Sequence, residues 1–217
     1  MHPMTTCQNL DFEAVLFDLD GVLVDTEDSY TEFWYSIDEI YPTEIENFAK
    51  VIKGTTLNSI LNLYFKLDEI RDDIKRRLKA FERDMPFVLF PGALNLLKSL
   101  KNRGKRIAIV TSSPVEKMSR LMTEIPEMKA CVDVLITDED VIESKPSPEG
   151  YLLAASRLNV EPCRCVVVED SINGLSAGRN ANAIVVGLST TNPHSSIVDL
   201  ADYTFSNIAE AAKVLGC

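Results

Sequence analysis

The chain has 217 residues, 46% of them hydrophobic and 25% charged, which is enough for a buried core without disulfides or a structural metal. Its formal net charge is −11, from 33 acidic and 22 basic side chains. Because a surface of this sign repels nucleic acid and anionic lipid, we expect neither nucleic acid nor a membrane as a partner.

The cysteines and the N-terminal segment indicate the compartment. The five cysteines are scattered, and Cys163 and Cys165 have no second thiol or histidine pair nearby, so we expect reduced thiols and no zinc site. Residues 1–13 lack the pattern of a signal peptide, and no apolar run is long enough to span a membrane. We therefore expect a cytoplasmic protein, and a monomer is consistent with the sequence.

Five short apolar runs are predicted to be buried strands, at residues 14–18, 107–110, 132–136, 165–168 and 183–186. Such near-continuous apolar strands, alternating with helices, are typical of a parallel sheet covered on both faces. The fold is therefore predicted to be α/β, with a doubly wound, mostly parallel sheet.

Helices are predicted to begin at Pro91, after Pro114, near Ser147 and near Asn207. The third of these places four side chains at the spacing of one buried face: Tyr151, Leu152, Ala155 and Leu158.

The segment 26–87 interrupts the alternation of strands and helices. Apolar and aromatic residues recur through it at helical spacing, and it contains no predicted strand. Its aromatic side chains, such as Trp34, are predicted to pack in a core. We therefore predict an α/β core domain formed by residues 1–25 and 88–217, with an α-helical domain inserted at 26–87.

The side chains with chemistry to offer stand at strand ends or before a helix. Asp18 and Asp20 close the first strand, residues 111–113 follow the second, Lys145 stands before a helix, and residues 169–170 follow the fourth. In an open parallel sheet the ligand site lies beyond the carboxyl ends of the strands, so these groups are predicted to converge. Each alone has an ordinary explanation as a loop acid, a helix N-cap or a solvated charge. Their combination indicates a site.

Acids crowded into so small a volume would take up protons unless a cation compensated them, and Mg²⁺ fits a site with few carboxylates and a substrate phosphate. One strand-end carboxylate can then attack phosphorus, while the other protonates the leaving oxygen and later activates the incoming nucleophile. Lys145, the Thr111 hydroxyl and the Ser112 backbone N–H are predicted to hold the phosphoryl oxygens.

The sequence lacks the motifs of three other enzyme classes: nucleotide triphosphatases, dinucleotide-binding enzymes and serine ester hydrolases. The chain has no Gly-x-x-x-x-Gly-Lys-Ser/Thr loop, no Gly-x-Gly-x-x-Gly after the first strand and no Gly-x-Ser-x-Gly. With only two histidines in the sequence, histidine-centred catalysis is poorly supplied.

Four motifs in this order resemble those of the haloacid dehalogenase-like phosphotransferase superfamily, over essentially the whole chain. The run 18–27 is similar to the first motif, 110–113 to the second, Lys145-Pro146 to the third and 168–171 to the fourth. The resemblance implies that Asp18 is the nucleophile and Asp20 the general acid and base. It also implies that Mg²⁺ is bound by Asp18, the Asp20 backbone carbonyl and Asp170, with Glu169 close by as a further candidate ligand, and that 26–87 is a cap that selects the substrate.

Lys53 and the run 145–148 look most like the branch of β-phosphoglucomutases and sugar phosphatases. The mutases carry a cap histidine where this chain has Tyr30, and an arginine for a second phosphate where it has Leu57. Leucine donates no hydrogen bond, and Asn58 is an uncharged substitute, so these departures argue against a mutase. Lys53 is either a substrate contact or a solvated lysine, and it is carried with Asn58 as a candidate substrate-binding residue.

The sequence therefore predicts a Mg²⁺-dependent phosphatase for a small phosphorylated metabolite, such as a sugar phosphate, that works through an aspartyl-phosphate. A β-phosphoglucomutase-type hexose-phosphate mutase is the alternative among enzymes, and it differs only in what attacks the phosphoenzyme. The alternative from another class is a non-catalytic, receiver-like phosphate-binding module. Such modules have no helical insertion after the first strand.

Overall fold

The computed structural model describes residues 10–53 and 55–217. Residues 1–9, which include Cys7 and most of the segment predicted not to be a signal peptide, lie outside the described part, as does Gly54. Among the described residues, no helix combines the length and the apolar character that a membrane span needs.

Within the described ranges, six parallel strands form one sheet in the order β3-β2-β1-β4-β5-β6. They are β1 (Ala14–Phe17), β2 (Arg106–Val110), β3 (Val134–Ile136), β4 (Cys165–Glu169), β5 (Ile184–Leu188) and β6 (Tyr203–Phe205). The first five confirm the predicted strands, with bounds that differ by at most two residues. The pattern does not predict β6, because its three residues pair only with β5 at the sheet edge and are too few to show a period.

The strand order places β1 near the centre of the sheet, where the chain changes direction. From β1 the chain passes outward through β2 and β3, and it then crosses back so that β4 pairs with the other side of β1. Such a switch point leaves a crevice beyond the carboxyl ends of the central strands. The residues that follow β1 and β4 therefore open into the same space.

Four helices follow β1 before any second strand: α1 (Glu27–Ile40), α2 (Phe48–Val51), α3 (Leu57–Tyr64) and α4 (Asp68–Asp84). Their inward side chains form a hydrophobic cluster of their own, drawn from residues between Tyr30 and Phe81. Trp34 is 6% exposed and packs edge-on against Phe33 and Phe48, so its predicted place in a core is confirmed. The fold thus contains the inserted helical unit that the sequence predicts.

Helices cover both faces of the sheet. One face carries α5 (Ala93–Asn102), α6 (Val115–Glu124), α7 (Pro126–Cys131) and α11 (Ile208–Val214); the other carries α8 (Glu149–Leu158) and α9 (Ile172–Asn180), with the short α10 (His194–Ile197) beside α9. The side chains of β1 show the reason: Val15 and Phe17 join one hydrophobic cluster, while Ala14 and Leu16 join the other. A strand buried on both sides has no polar alternation, as the sequence predicts.

Helix α8 corrects one predicted position. The buried face of α8 consists of Tyr151, Ala154, Ala155 and Leu158, whereas Leu152 is 39% exposed. Leu152 follows Tyr151 directly, so its side chain points about 100° further around the helix, away from the sheet.

Candidate active site

Asp18 stands directly after β1, at the carboxyl edge of the sheet. Its N–H continues the parallel ladder by donating to the Val168 carbonyl at 3.0 Å, which fixes the backbone. Its carboxylate is buried and accepts a hydrogen bond from the Lys145 ammonium. Burial raises the pKa of Asp18 to about 7 against the opposing charge of Lys145, and the Glu169 charge adds to the rise. The group therefore titrates near neutral pH.

Lys145 links the end of β1 to the end of β4. Its ammonium also donates to Glu169 Oε1 at 2.6 Å, and the Tyr151 hydroxyl donates to the same oxygen at 3.0 Å. Glu169 Oε2 accepts from the backbone N–H groups of Asp170 and Ser171 at 2.9 and 3.0 Å. Burial lowers the pKa of Lys145, but the two carboxylates outweigh it and hold that pKa well above its usual value, so the ammonium keeps its charge.

Three buried carboxylates, those of Asp18, Glu169 and Asp170, each bring one oxygen within 4.8 Å of the others. Burial, followed by the charges of Glu169 and Asp18, raises the pKa of Asp170 well above its usual range. Gly21 makes room beside this group: its φ is +83°, and a Cβ there would overlap the Asp170 carboxylate. One ammonium cannot neutralise three carboxylates, and the oxygen donors that remain fit a Mg²⁺ ion.

The Asp20 carboxylate lies outside this cluster. The Lys117 ammonium donates to both of its oxygens at 2.7 Å, and the hydroxyls of Ser113 and Thr26 donate to one oxygen each. Burial alone would raise the pKa of Asp20, but the Lys117 charge and these hydrogen bonds outweigh it and lower that pKa below its ordinary value. Asp20 is therefore ionised, and the metal contact implied at this position by the family resemblance involves its backbone carbonyl.

The loop after β2 brings the predicted phosphate donors to the same place. Thr111 is buried, and its hydroxyl accepts from the Ser113 N–H at 3.1 Å. Thr111 and Ser112 line a cavity together with Asp18. The N-cap role considered for this loop is not observed, because the cap residue of α6 is Pro114 and it makes no side-chain cap bond.

This cavity has a volume of about 280 Å³ and lies between the helical insertion and the strand ends. Its floor is polar and carries the acidic groups and the loop after β2. Its opposite wall combines apolar side chains, such as Trp34, Ile60 and Leu78, with charged ones that include Lys75 and Lys79. The space therefore suits a small molecule whose anionic end reaches the floor.

Of the two candidate contacts on the insertion, Lys53 lines the cavity and Asn58 does not. Burial lowers the pKa of Lys53, and the charge of Asp170 opposes this shift. The Lys53 carbonyl accepts from the Asn173 side chain at 3.0 Å, which ties this loop to α9. Asn58 is exposed on α3, and its neighbour Leu57 faces the cavity instead. The position of Asn58 gives its predicted role no support.

Two contacts were not predicted from the sequence: that of Lys117 with Asp20 and that of the Tyr151 hydroxyl with Glu169. Lys117 is the clearer case, because a lysine in a helix is ordinarily expected to be exposed to solvent. One signal was available: Lys117 shares the buried face of α6 with Met118, Leu121 and Met122. A lysine within an apolar stripe needs a buried acidic partner, and that partner is Asp20.

Known proteins resemble this chain in sequence and in fold. A family model of the haloacid dehalogenase-like hydrolases matches residues 12–182. Validoxylamine A 7'-phosphate phosphatase of Streptomyces hygroscopicus subsp. limoneus is 31% identical over 209 residues, 92% of this chain and 95% of that protein. A phosphorylated carbohydrates phosphatase of Thermotoga maritima is 33% identical over 180 residues, 78% of this chain and 81% of that protein. A solved structure from Bacteroides vulgatus, assigned provisionally as a beta-phosphoglucomutase, aligns with a TM-score of 0.82 at 26% identity. The alignment covers 96% of this chain and 90% of that structure's chain.

Proposed function

The chain belongs to the haloacid dehalogenase-like hydrolase family, and we propose that it releases inorganic phosphate from a small phosphorylated carbohydrate. It is a phosphoric monoester hydrolase, as the family and the phosphatases among its relatives indicate. The observation that carries the proposal is the position of Asp18. This residue lies at the floor of the cavity, between the Lys145 ammonium and the Asp170 carboxylate.

The chemistry divides between the two strand-end acids. The Asp18 carboxylate attacks phosphorus and the P–O bond to the sugar breaks, and the proton that Asp20 must take up when the substrate binds passes to the departing oxygen. Asp20 then takes a proton from water as that water attacks the aspartyl-phosphate, which restores Asp18 and releases inorganic phosphate. The low pKa of Asp20 suits this second step, in which it acts as the base.

The phosphoryl oxygens need donors that do not move during the reaction. Lys145 supplies a buried ammonium held by Glu169, and Thr111 and Ser112 line the cavity floor. Thr111 and Ser112 directly follow β2, and the Lys145 ammonium is held at the ends of β1 and β4 by Asp18 and Glu169. They are the proposed phosphate-binding residues.

A Mg²⁺ ion would be held by the carboxylates of Asp18 and Asp170 and by the backbone carbonyl of Asp20. When bound, it supplies positive charge that offsets the anionic phosphoryl oxygens. The two oxygens of Glu169 already accept hydrogen bonds from Lys145, Tyr151 and its own following turn, so we assign Glu169 the task of holding Lys145.

The helical unit 26–87 is the proposed cap. It provides the wall opposite the acids, and Lys53 is the cap residue proposed to contact the polar part of the substrate. A cap that closes over the floor excludes bulk water from the phosphoenzyme and restricts the size of the substrate.

The proposal is tested by phosphate release from aldose, ketose and polyol monophosphates, with Mg²⁺ and with a chelator. We expect release that depends on Mg²⁺. A parallel reaction with β-glucose 1-phosphate and a trace of its bisphosphate distinguishes the mutase, because a mutase accumulates glucose 6-phosphate. The absence of both products across the panel would instead favour the non-catalytic module.

Magnesium binding should displace protons. In the metal-free protein, burial raises the pKa of Asp18 to about 7 and that of Asp170 well above its usual range, so both carboxyl groups hold protons that the metal must displace. We therefore expect Mg²⁺ affinity to rise from about pH 6 to about pH 8, with roughly one to two protons released per ion. Isothermal titration calorimetry in two buffers of different ionisation enthalpy counts the protons. Affinity that does not change with pH would contradict the assignment, and Asp170→Asn should lose both the affinity and its pH dependence.

A further inference from the structure

Lys117 is a buried cation that the proposed reaction does not use. Its side chain is 0% exposed, although it lies on α6 rather than in the sheet. The ammonium has three N–H groups, and three acceptors lie within 2.9 Å: the two oxygens of Asp20 and the Ser113 hydroxyl. All three N–H groups of Lys117 therefore have acceptors in Asp20 or in Ser113, and the Ser113 hydroxyl itself donates to Asp20.

Lys117 does not belong to the phosphate-binding group. It is absent from the residues that line the cavity, whereas Asp20 and Ser113 line it. Its ammonium donates to Asp20 and Ser113, whereas the Lys145 ammonium donates to Asp18 and Glu169 of the three-carboxylate cluster. Lys117 is thus paired with the acid proposed to handle the proton, and Lys145 with the proposed nucleophile.

Lys117 does set the direction of the Asp20 carboxylate. Its two equal contacts of 2.7 Å fix both oxygens at once, which a single hydroxyl cannot do. The other donors are the hydroxyls of Thr26 and Ser113, which can rotate. Without the ammonium, the carboxylate would be free to turn about its side-chain bonds.

The helical insertion covers the same ammonium. The Tyr30 ring of α1 lies over it, with the Nζ atom 4.6 Å from the ring centroid, and the Tyr30 hydroxyl donates to Glu82 of α4 at 2.6 Å. Tyr30 is the residue that stands where related mutases carry a histidine. The support of Asp20 therefore extends into the proposed cap.

We propose that Lys117 is a positioning residue, which holds the Asp20 carboxylate in the direction required for proton transfer at the phosphoryl group. This inference rests on the proposed function, because Asp20 has a proton to handle only if the chain turns over a phosphate ester. Lys117 acts through Asp20 and touches neither the substrate nor the metal.

The test is a double-mutant cycle with Lys117→Met, Asp20→Asn and the double variant, all assayed on p-nitrophenyl phosphate. Its leaving group needs no proton, so variants of Asp20 keep measurable turnover. We expect Lys117→Met to lower kcat by roughly tenfold or more with KM within a factor of about three, and to cost less than about twofold in the Asp20→Asn background. The exposed Lys129→Met on α7 removes the same charge and should match the wild type.

Equal losses in both backgrounds, a changed KM with an unchanged kcat, or wild-type kcat in Lys117→Met would each overturn the inference. A crystal structure of Lys117→Met tests the positioning role independently of catalytic activity. We expect the Asp20 carboxylate in it to have rotated, so that its hydrogen bonds with Thr26 and Ser113 are lost. A carboxylate that kept both bonds would refute the positioning role. A wild-type protein that hydrolysed no phosphate ester would count against the proposed function, and the crystal structure would still decide the role of Lys117.

Discussion

Replacing Asp18 by asparagine is expected to lower phosphate release by ~10⁵-fold or more while the protein stays folded. The amide has nearly the shape of the carboxylate and can still accept from Lys145, but it cannot attack phosphorus. Burial already disfavours the charge at this position, so the neutral side chain should not reduce the free energy of unfolding. Phosphate release and thermal unfolding of the purified variant measure the two effects separately.

Asp25→Asn is the matched control for this experiment. Asp25 is exposed, lies in the segment that follows the same strand, and loses the same charge. It should turn over like the wild type. If Asp18→Asn instead kept turnover within tenfold of Asp25→Asn, Asp18 would not be the nucleophile.

Replacing Lys145 by methionine should damage both activity and stability. The ammonium lies between Asp18 and Glu169, and its removal leaves two buried carboxylates without their cation. We expect a loss of about 3 kcal/mol in the free energy of unfolding, measured in denaturant with a chelator present, and a fall in phosphate release of about 10³-fold. The stability loss should be larger at higher pH, because the orphaned carboxyl groups can take up protons when the pH is lowered.

A second substitution separates the two effects of losing Lys145. In Lys145→Met with Glu169→Gln, one of the two unpaired charges is gone, so part of the stability should return while activity does not. Lys129→Met supplies the control for loss of a surface lysine. If Lys145→Met had the same free energy of unfolding as the wild type, the ammonium would not be needed to bury Asp18 and Glu169.

Much of the site could be predicted because its residues stand in a simple relation to the strands. Asp18, Thr111 and Asp170 each follow an uninterrupted apolar run, and parallel strands end at one edge, so their convergence follows from topology alone. The helical insertion was also predictable, since its apolar residues have a period that no strand shares.

The partner of Asp20 could not be predicted in the same way. The bond between Lys117 and Asp20 joins residues 97 positions apart, and the helical pattern says only that Lys117 faces the interior. Which acid a buried lysine meets depends on how α6 packs against the sheet, and local sequence does not encode that packing. The same holds for Tyr151, whose ring was predicted to be buried but whose hydroxyl finds Glu169 only in three dimensions.

The error within α8 was an error of rotation. Leu152 lies one position from Tyr151, which faces inward. Adjacent helical residues point about 100° apart, so a neighbour of the correct residue lands on a different surface.

The most direct test of Asp18 as the nucleophile is mass spectrometry of the enzyme, quenched with acid during turnover in Mg²⁺. We expect a fraction of the protein to be heavier by one phosphoryl group, with the added mass on the peptide that contains Asp18 and absent from the Asp18→Asn variant. A phosphoryl group on any other residue, or rapid turnover with no phosphorylated enzyme at the shortest quench times, would contradict this assignment.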